Sequence, residues 1–183
     1  KIYENNNQIN DVFFSMSHGV NRGKLKRDKQ DERHNFITDL ISECPNIIFD
    51  IYGYKNREPV WAEDFYKVIV NSKMALNLTR GKPLKYLTSN RIASLIGNGL
   101  LTFIDKRTQL SNFFNNNEVI FYSGLEDLAN KINFYKSNDQ KRINVAKKGR
   151  KKYFDLFECQ KVANYIISKS FNREISKKLK WMD

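Results

Sequence analysis

The sequence predicts an α/β domain with a parallel sheet of about five strands, on three observations. Five short apolar runs rich in β-branched and aromatic residues recur along the chain. Segments whose apolar residues repeat at helical spacing separate them, and polar loops, several bearing glycine, punctuate the alternation. Strands that return parallel to one another need long crossovers, which helices supply, so helices are expected on both faces.

The polar opening, 1–10, reads as a linker or frayed end. Val12, Phe13 and Phe14 form the first strand, over 12–15, and lead into a loop over 15–24 that holds Gly19, Arg22, Gly23 and Lys24. Phe36, Ile37, Leu40 and Ile41 mark a helix over 30–43 that Pro45 closes. A second strand, 47–52, ends at Gly53, and Trp61, Phe65, Val68 and Ile69 mark the helix after it. Strand three, 74–78, precedes a basic glycine loop containing Arg80, Gly81 and Lys82. Ser89 is placed to cap a helix carrying Ile92, Leu95 and Ile96, which Gly97 and Gly99 stop.

Strand four follows at 100–104, then a short helix with Leu110, Phe113 and Phe114, and strand five at 119–122. Ser123 and Glu126 have capping-box spacing ahead of a helix through Leu128, Ile132 and Tyr135. Two further helices, 139–154 and 159–171, finish the chain. The architecture is therefore Rossmann-like over 11–155, with a C-terminal helical extension over 156–183.

The chain has 183 residues, of which 40% are hydrophobic and 13% aromatic, so it can build one sizeable core and is not a disordered chain. No apolar run approaches the ~20 residues that span a bilayer, and the amino terminus lacks a signal-peptide core, so a cytoplasmic protein is expected. The chain opens on Lys1, which reads as a start inside a longer protein. Cys44 and Cys159 lie outside metal or disulfide spacing and are expected as free thiols. A net charge of +12 suits phosphates, nucleic acid or an anionic membrane, and equally a lysine-rich solvated surface.

In open parallel sheets ligands bind beyond the carboxyl ends of the strands. The loops there, 15–24, 53–57 and 79–90, carry Arg22, Lys24, Lys55, Arg57, Arg80, Lys82 and Lys85, a set of cations that suits a diphosphate. The helix start at Ser89, Asn90 and Arg91 would add backbone donors and a guanidinium; alternatively Arg91 pairs with a surface carboxylate.

The stretch Asn90-Arg91-Ile92-Ala93-Ser94-Leu95-Ile96-Gly97-Asn98-Gly99-Leu100-Leu101 carries a resemblance. An Asn-Arg pair opening a helix, a glycine ending it and an apolar strand closing on Asp105 resemble the carboxyl-terminal, donor-binding domain of GT-B fold glycosyltransferases. The group related to the CgeB spore-maturation protein, of the group 1 type, is the most similar. The strand and helix over 118–129 and the basic helix over 139–150 continue the likeness, which covers about 70–170.

The resemblance implies transfer of a sugar from a nucleoside diphosphate donor to a glycan or lipid acceptor of the cell envelope, without cofactor or metal. Gly19, Arg22, Lys24, Tyr54, Arg80, Ser89, Asn90, Arg91 and Ser94 would bind the donor, with the base near Tyr54. The acceptor site and catalytic base would belong to an amino-terminal domain absent from this chain. In such enzymes the last helix, through Lys177, Lys178, Lys180 and Trp181, bridges the halves; its basic residues also suit peripheral contact with an anionic membrane.

There is one departure. Common retaining families carry two glutamates eight residues apart, the second on the donor ribose, and here those positions hold Tyr86 and Ser94. Two other classes therefore stand beside the enzyme: a catalytically inactive nucleotide-sugar-binding module, and a basic nucleic-acid-binding α/β domain, which lacks any recognition-motif spacing.

Overall fold

The structure, a computed structural model, describes residues 1–17, 31–87, 89–175 and 181. Five strands form one sheet: β1 (Asn10–Ser15), β2 (Phe49–Tyr52), β3 (Ser72–Asn77), β4 (Leu101–Asp105) and β5 (Ile120–Tyr122). Their spatial order is β2-β1-β3-β4-β5 and every pairing is parallel, as the alternation with helices requires. The chain steps from β1 to one neighbour, β2, and returns to the other, β3. The order reverses between β1 and β3, which makes their carboxyl ends the switch point.

The helices are α1 (Glu32–Glu43), α2 (Ala62–Ile69), α3 (Asn90–Ile96), α4 (Leu125–Lys136), α5 (Asp139–Phe157) and α6 (Cys159–Ser170). Residues alternate strictly between the two faces of the sheet. Val12, Phe14, Met74, Leu76, Phe103 and Tyr122 pack with Ile37 and Leu40 of α1 and Leu128 and Ile132 of α4. Phe13 and Ala75 face the other way, toward Ile69 of α2 and Leu95 of α3, and Ile104 and Phe121 meet Ile92 and Ile96. Helix α5 serves both layers, placing Val145 and Ala146 in the first and Leu156 in the second. Phe13 meets Phe65 edge-on at 5.3 Å, so α2 is anchored to the sheet by one aromatic pair.

Four local expectations are corrected by tertiary contacts. Residues 2–4 are a 3-10 turn in place of a frayed end: Ile2 is buried, and its N–H donates to Asn98 O at 2.9 Å. The N-cap of α4 is Gly124 with φ 86°, and Asp127 in place of Glu126 reaches back, accepting from the Ser123 N–H at 2.8 Å. The short helix expected with Leu110, Phe113 and Phe114 is a 3-10 turn, Leu110–Asn112, preceded by another at Lys106–Thr108. Trp61, expected on the buried face of α2, is its N-cap residue and 62% exposed. Cys44 is buried and Cys159 exposed, both free. No described helix is long and apolar enough to cross a membrane.

Candidate functional site

A cleft of about 310 Å³ opens at the switch point. Ser15 ends β1 and Ser17 follows it to form one side; Trp61, Phe65 and Tyr66 come from the α2 segment; Asn90, Arg91 and Ser94 come from α3. Each wall has a local cause. The α2 segment is held by Phe65 on Phe13, and α3 by Ile92, Leu95 and Ile96 in the core. That packing turns the opposite, polar edge of α3 toward the cleft, one turn apart at Asn90, Arg91 and Ser94.

Arg91 is the charged residue among the described residues that line this cleft. Its Nη1 donates to Leu78 O at 2.9 Å and lies 3.5 Å from Asn77 Oδ1, and its guanidinium stands 5.3 Å from the Phe14 ring centre. Among the described residues no carboxylate pairs with it, contrary to the surface ion pair that was its alternative reading. Burial, and then the charge of Arg33, push its pKa down from 12.5 to about 10. A guanidinium with a desolvation cost and no counter-charge is stabilised by any anion that reaches it.

Two further polar atoms share this corner. Asn77 Nδ2 and Ser89 Oγ are buried and have no hydrogen-bond partner among the described residues. Ser89 does stand at the N-cap of α3, with extended backbone, but its hydroxyl caps nothing. With seven residues, α3 has little dipole to offer, so the expected contribution of its helix start passes to the Arg91 side chain.

Next to the cleft, Asp31 caps α1, accepting from the Arg33 N–H at 3.0 Å and from its guanidinium at 2.7 Å. Arg80 approaches the same carboxylate at 3.6 Å and donates to Ser17 O at 3.1 Å, which ties the loop after β3 to the end of β1. Arg33, Arg80 and Arg91 thus gather at the carboxyl ends of β1 and β3. Sequence reading missed Arg33 because it looked like an ordinary first-turn helix residue; its buried position, 5% exposed, is set by Asp31.

The structure separates other expected residues from the cleft. Tyr54 is 7% exposed, its hydroxyl is 2.8 Å from Thr38 Oγ1 and its ring is 4.7 Å from His34, so it packs in the core and does not line this cleft. Arg57 is engaged by Asp50 at 2.6 Å and lies over the Tyr52 ring. Ser94 lines the cleft, its Oγ 3.4 Å from the Tyr66 hydroxyl, whereas Tyr86, in left-handed conformation, meets Phe113 edge-on and accepts from Asn112. Asp105 is held by both nitrogens of an Arg107 fork. Gly19, Arg22 and Lys24 lie outside the described residues, as do Lys177, Lys178 and Lys180. Among the described residues no group of three His, Cys, Asp or Glu side chains is placed to hold a metal.

Comparisons with known proteins bear on the family and the fold. A family model described as glycosyl transferase-like matches residues 29–168. The chain is similar in structure to a sucrose-phosphate synthase from Thermosynechococcus elongatus, with a TM-score of 0.60 and 11% sequence identity, over 90% of this chain and 46% of that one. At that identity the likeness is one of fold, and the chain spans less than half of the matched structure. No curated protein matches the chain.

Proposed function

The chain belongs to the glycosyl transferase-like family, and from that premise we propose that it is the donor-binding domain of an enzyme that moves a sugar from a nucleoside diphosphate to a glycan or lipid acceptor. The observation that carries the reading is Arg91: a partly buried guanidinium with no counter-ion among the described residues, in a cleft at the switch point of a parallel sheet. The donor diphosphate supplies the missing charge. As the bond to the sugar breaks, negative charge grows on the leaving diphosphate, and a preorganised guanidinium stabilises it more than it does the intact donor. Arg80, on the loop after β3, adds to the field.

In this reading residues 11–155 hold the donor, 156–183 form a helical extension, and a separate amino-terminal domain brings the acceptor and the base. Transfer requires both walls of the cleft between domains, because orientation of donor and acceptor lowers the barrier by up to ~7–11 kcal/mol.

Titration calorimetry at fixed salt tests the donor site. Arg91→Ala should weaken nucleoside diphosphate binding by about 1.5–3 kcal/mol, the range for a hydrogen bond to a charged group. Lys148→Ala, on the exposed face of α5, should leave it unchanged. Equal losses in both would mean that diffuse positive charge alone attracts the nucleotide, and the donor pocket would be wrong.

A further inference from the structure

The α2 wall of the cleft has two features that packing does not require. Trp61 is 62% exposed, and among the described aromatic contacts no ring stacks on it. The next residue, Ala62, has φ 46°, in the left-handed region that costs an alanine on the order of 1 kcal/mol. Strained backbone that presents a large apolar side chain to solvent beside a cleft points from geometry to use. An ordinary helix start would relieve the strain.

The neighbours of Trp61 restrict what would use it. Tyr66 is also half-exposed, but its ring rests edge-on against Phe65 and its hydroxyl lies beside Ser94, so it is already engaged. Among the described residues none covers the Trp61 ring in an aromatic or cation–π contact. Arg91 lines the same cleft from α3, and among the described residues no carboxylate lines it. A ligand that matches this set has an anionic end, a hydroxyl-bearing middle and a flat ring.

We propose that Trp61 is the platform on which the donor's nucleobase stacks, with the pentose against the Tyr66 and Ser94 hydroxyls and the phosphates at Arg91. This rests on the donor reading of the cleft and goes beyond it by assigning the base to a residue outside the expected set, in place of Tyr54. The platform recognises a ring face, so it accepts any of the common bases and holds purines at least as tightly as pyrimidines, the larger ring covering more indole. Identity of the base is not read by hydrogen bonding at Trp61, whose exposed ring offers only its face and one N–H.

The test uses the whole chain with UDP, GDP and inorganic pyrophosphate as probes. Trp181, the second of two tryptophans, packs on Phe157 and donates to Leu156 O, so fluorescence changes on nucleotide binding report Trp61. UDP and GDP should quench the emission and pyrophosphate should not. By calorimetry, Trp61→Ala should weaken UDP and GDP about 5- to 150-fold, the fold-change equivalent to one base stack, and leave pyrophosphate unchanged. Trp61→Phe should recover most of the loss. The residue is exposed, so both variants should melt like the wild type.

If Trp61→Ala binds UDP as the wild type does while Arg91→Ala does not, stacking is refuted and the donor reading stands. If Trp61→Ala loses UDP and pyrophosphate equally, the residue shapes the cleft and the stacking proposal fails. If the wild type binds none of the three probes, the donor reading fails and the base platform with it.

Discussion

Gly149 offers a test in which the sign of the effect depends on the fold. It lies in the middle of α5, where helix propensity alone predicts that alanine is better than glycine by ~1 kcal/mol. In the structure a Cβ at this position would sit 2.1 Å from Glu118 O and 3.1 Å from the Glu118 carbonyl carbon. An ordinary carbon–oxygen contact is about 3.3 Å, so α5 or the turn before β5 must retreat by about 1 Å. Neither is free to do so. The turn is closed by Val119 N donating to Asn115 O and by Glu118 Oε2 accepting from the Asn115 N–H, and α5 is held by Val145, Ala146 and Leu156 in the core. Overpacking of this kind costs about 1–3 kcal/mol. Taking the upper end for a backbone-to-backbone clash and subtracting the propensity gain leaves a net loss of roughly 2 kcal/mol. For a chain of this size that lowers Tm by about 4–8 °C. Differential scanning calorimetry of Gly149→Ala checks it, with Lys148→Ala as the exposed neighbour expected within about 0.5 kcal/mol of wild type. A rise in Tm for Gly149→Ala would refute the packing of α5 on the turn before β5.

Three other outcomes follow from particular contacts. Asp11 is desolvated, which raises its pKa, but the Ile48 N–H, Lys136 and Lys73 outweigh this and hold it below the ordinary value. Its stabilising contribution is thus complete above about pH 4, where an unfolded aspartate is ionised, and is lost as the pH falls through the folded value; acid melts should show a flatter acid limb for Asp11→Asn than for wild type. Asp31→Ala removes the α1 cap and leaves the buried Arg33 guanidinium without its fork, a loss of about 3–5 kcal/mol in urea denaturation, and a loss under 1 kcal/mol would contradict that ion pair. Tyr122 is fully buried, its hydroxyl has no partner among the described residues, and burial first and Asp105 second push its pKa up, so Tyr122→Phe should be neutral or stabilising by up to about 1–2 kcal/mol; marked destabilisation would reveal a partner for that oxygen.

Much of the fold was legible in the order of the residues because strands and helices write their periods locally. Val12-Phe13-Phe14 and Met74-Ala75-Leu76 are apolar on both faces, which only a sheet covered on both sides tolerates, and the helical segments between them leave parallel pairing as the short solution. The family, too, was legible around Asn90 to Leu101, where Arg91 opens a helix and glycine stops it. What tertiary structure alone decided is which polar groups have partners. Arg57 and Arg91 look alike as loop and helix-start cations, yet the fold sets Arg57 2.6 Å from Asp50 and gives Arg91 no carboxylate among the described residues. Tyr54 and Trp61 look alike as aromatic residues, yet Thr38 and His34 bury the first, and a left-handed alanine holds the second in solvent at the cleft. Charge compensation and exposure depend on which elements the fold brings together, as β2 is brought to the loop after it and Tyr54 to α1, and no local period in the chain encodes those contacts.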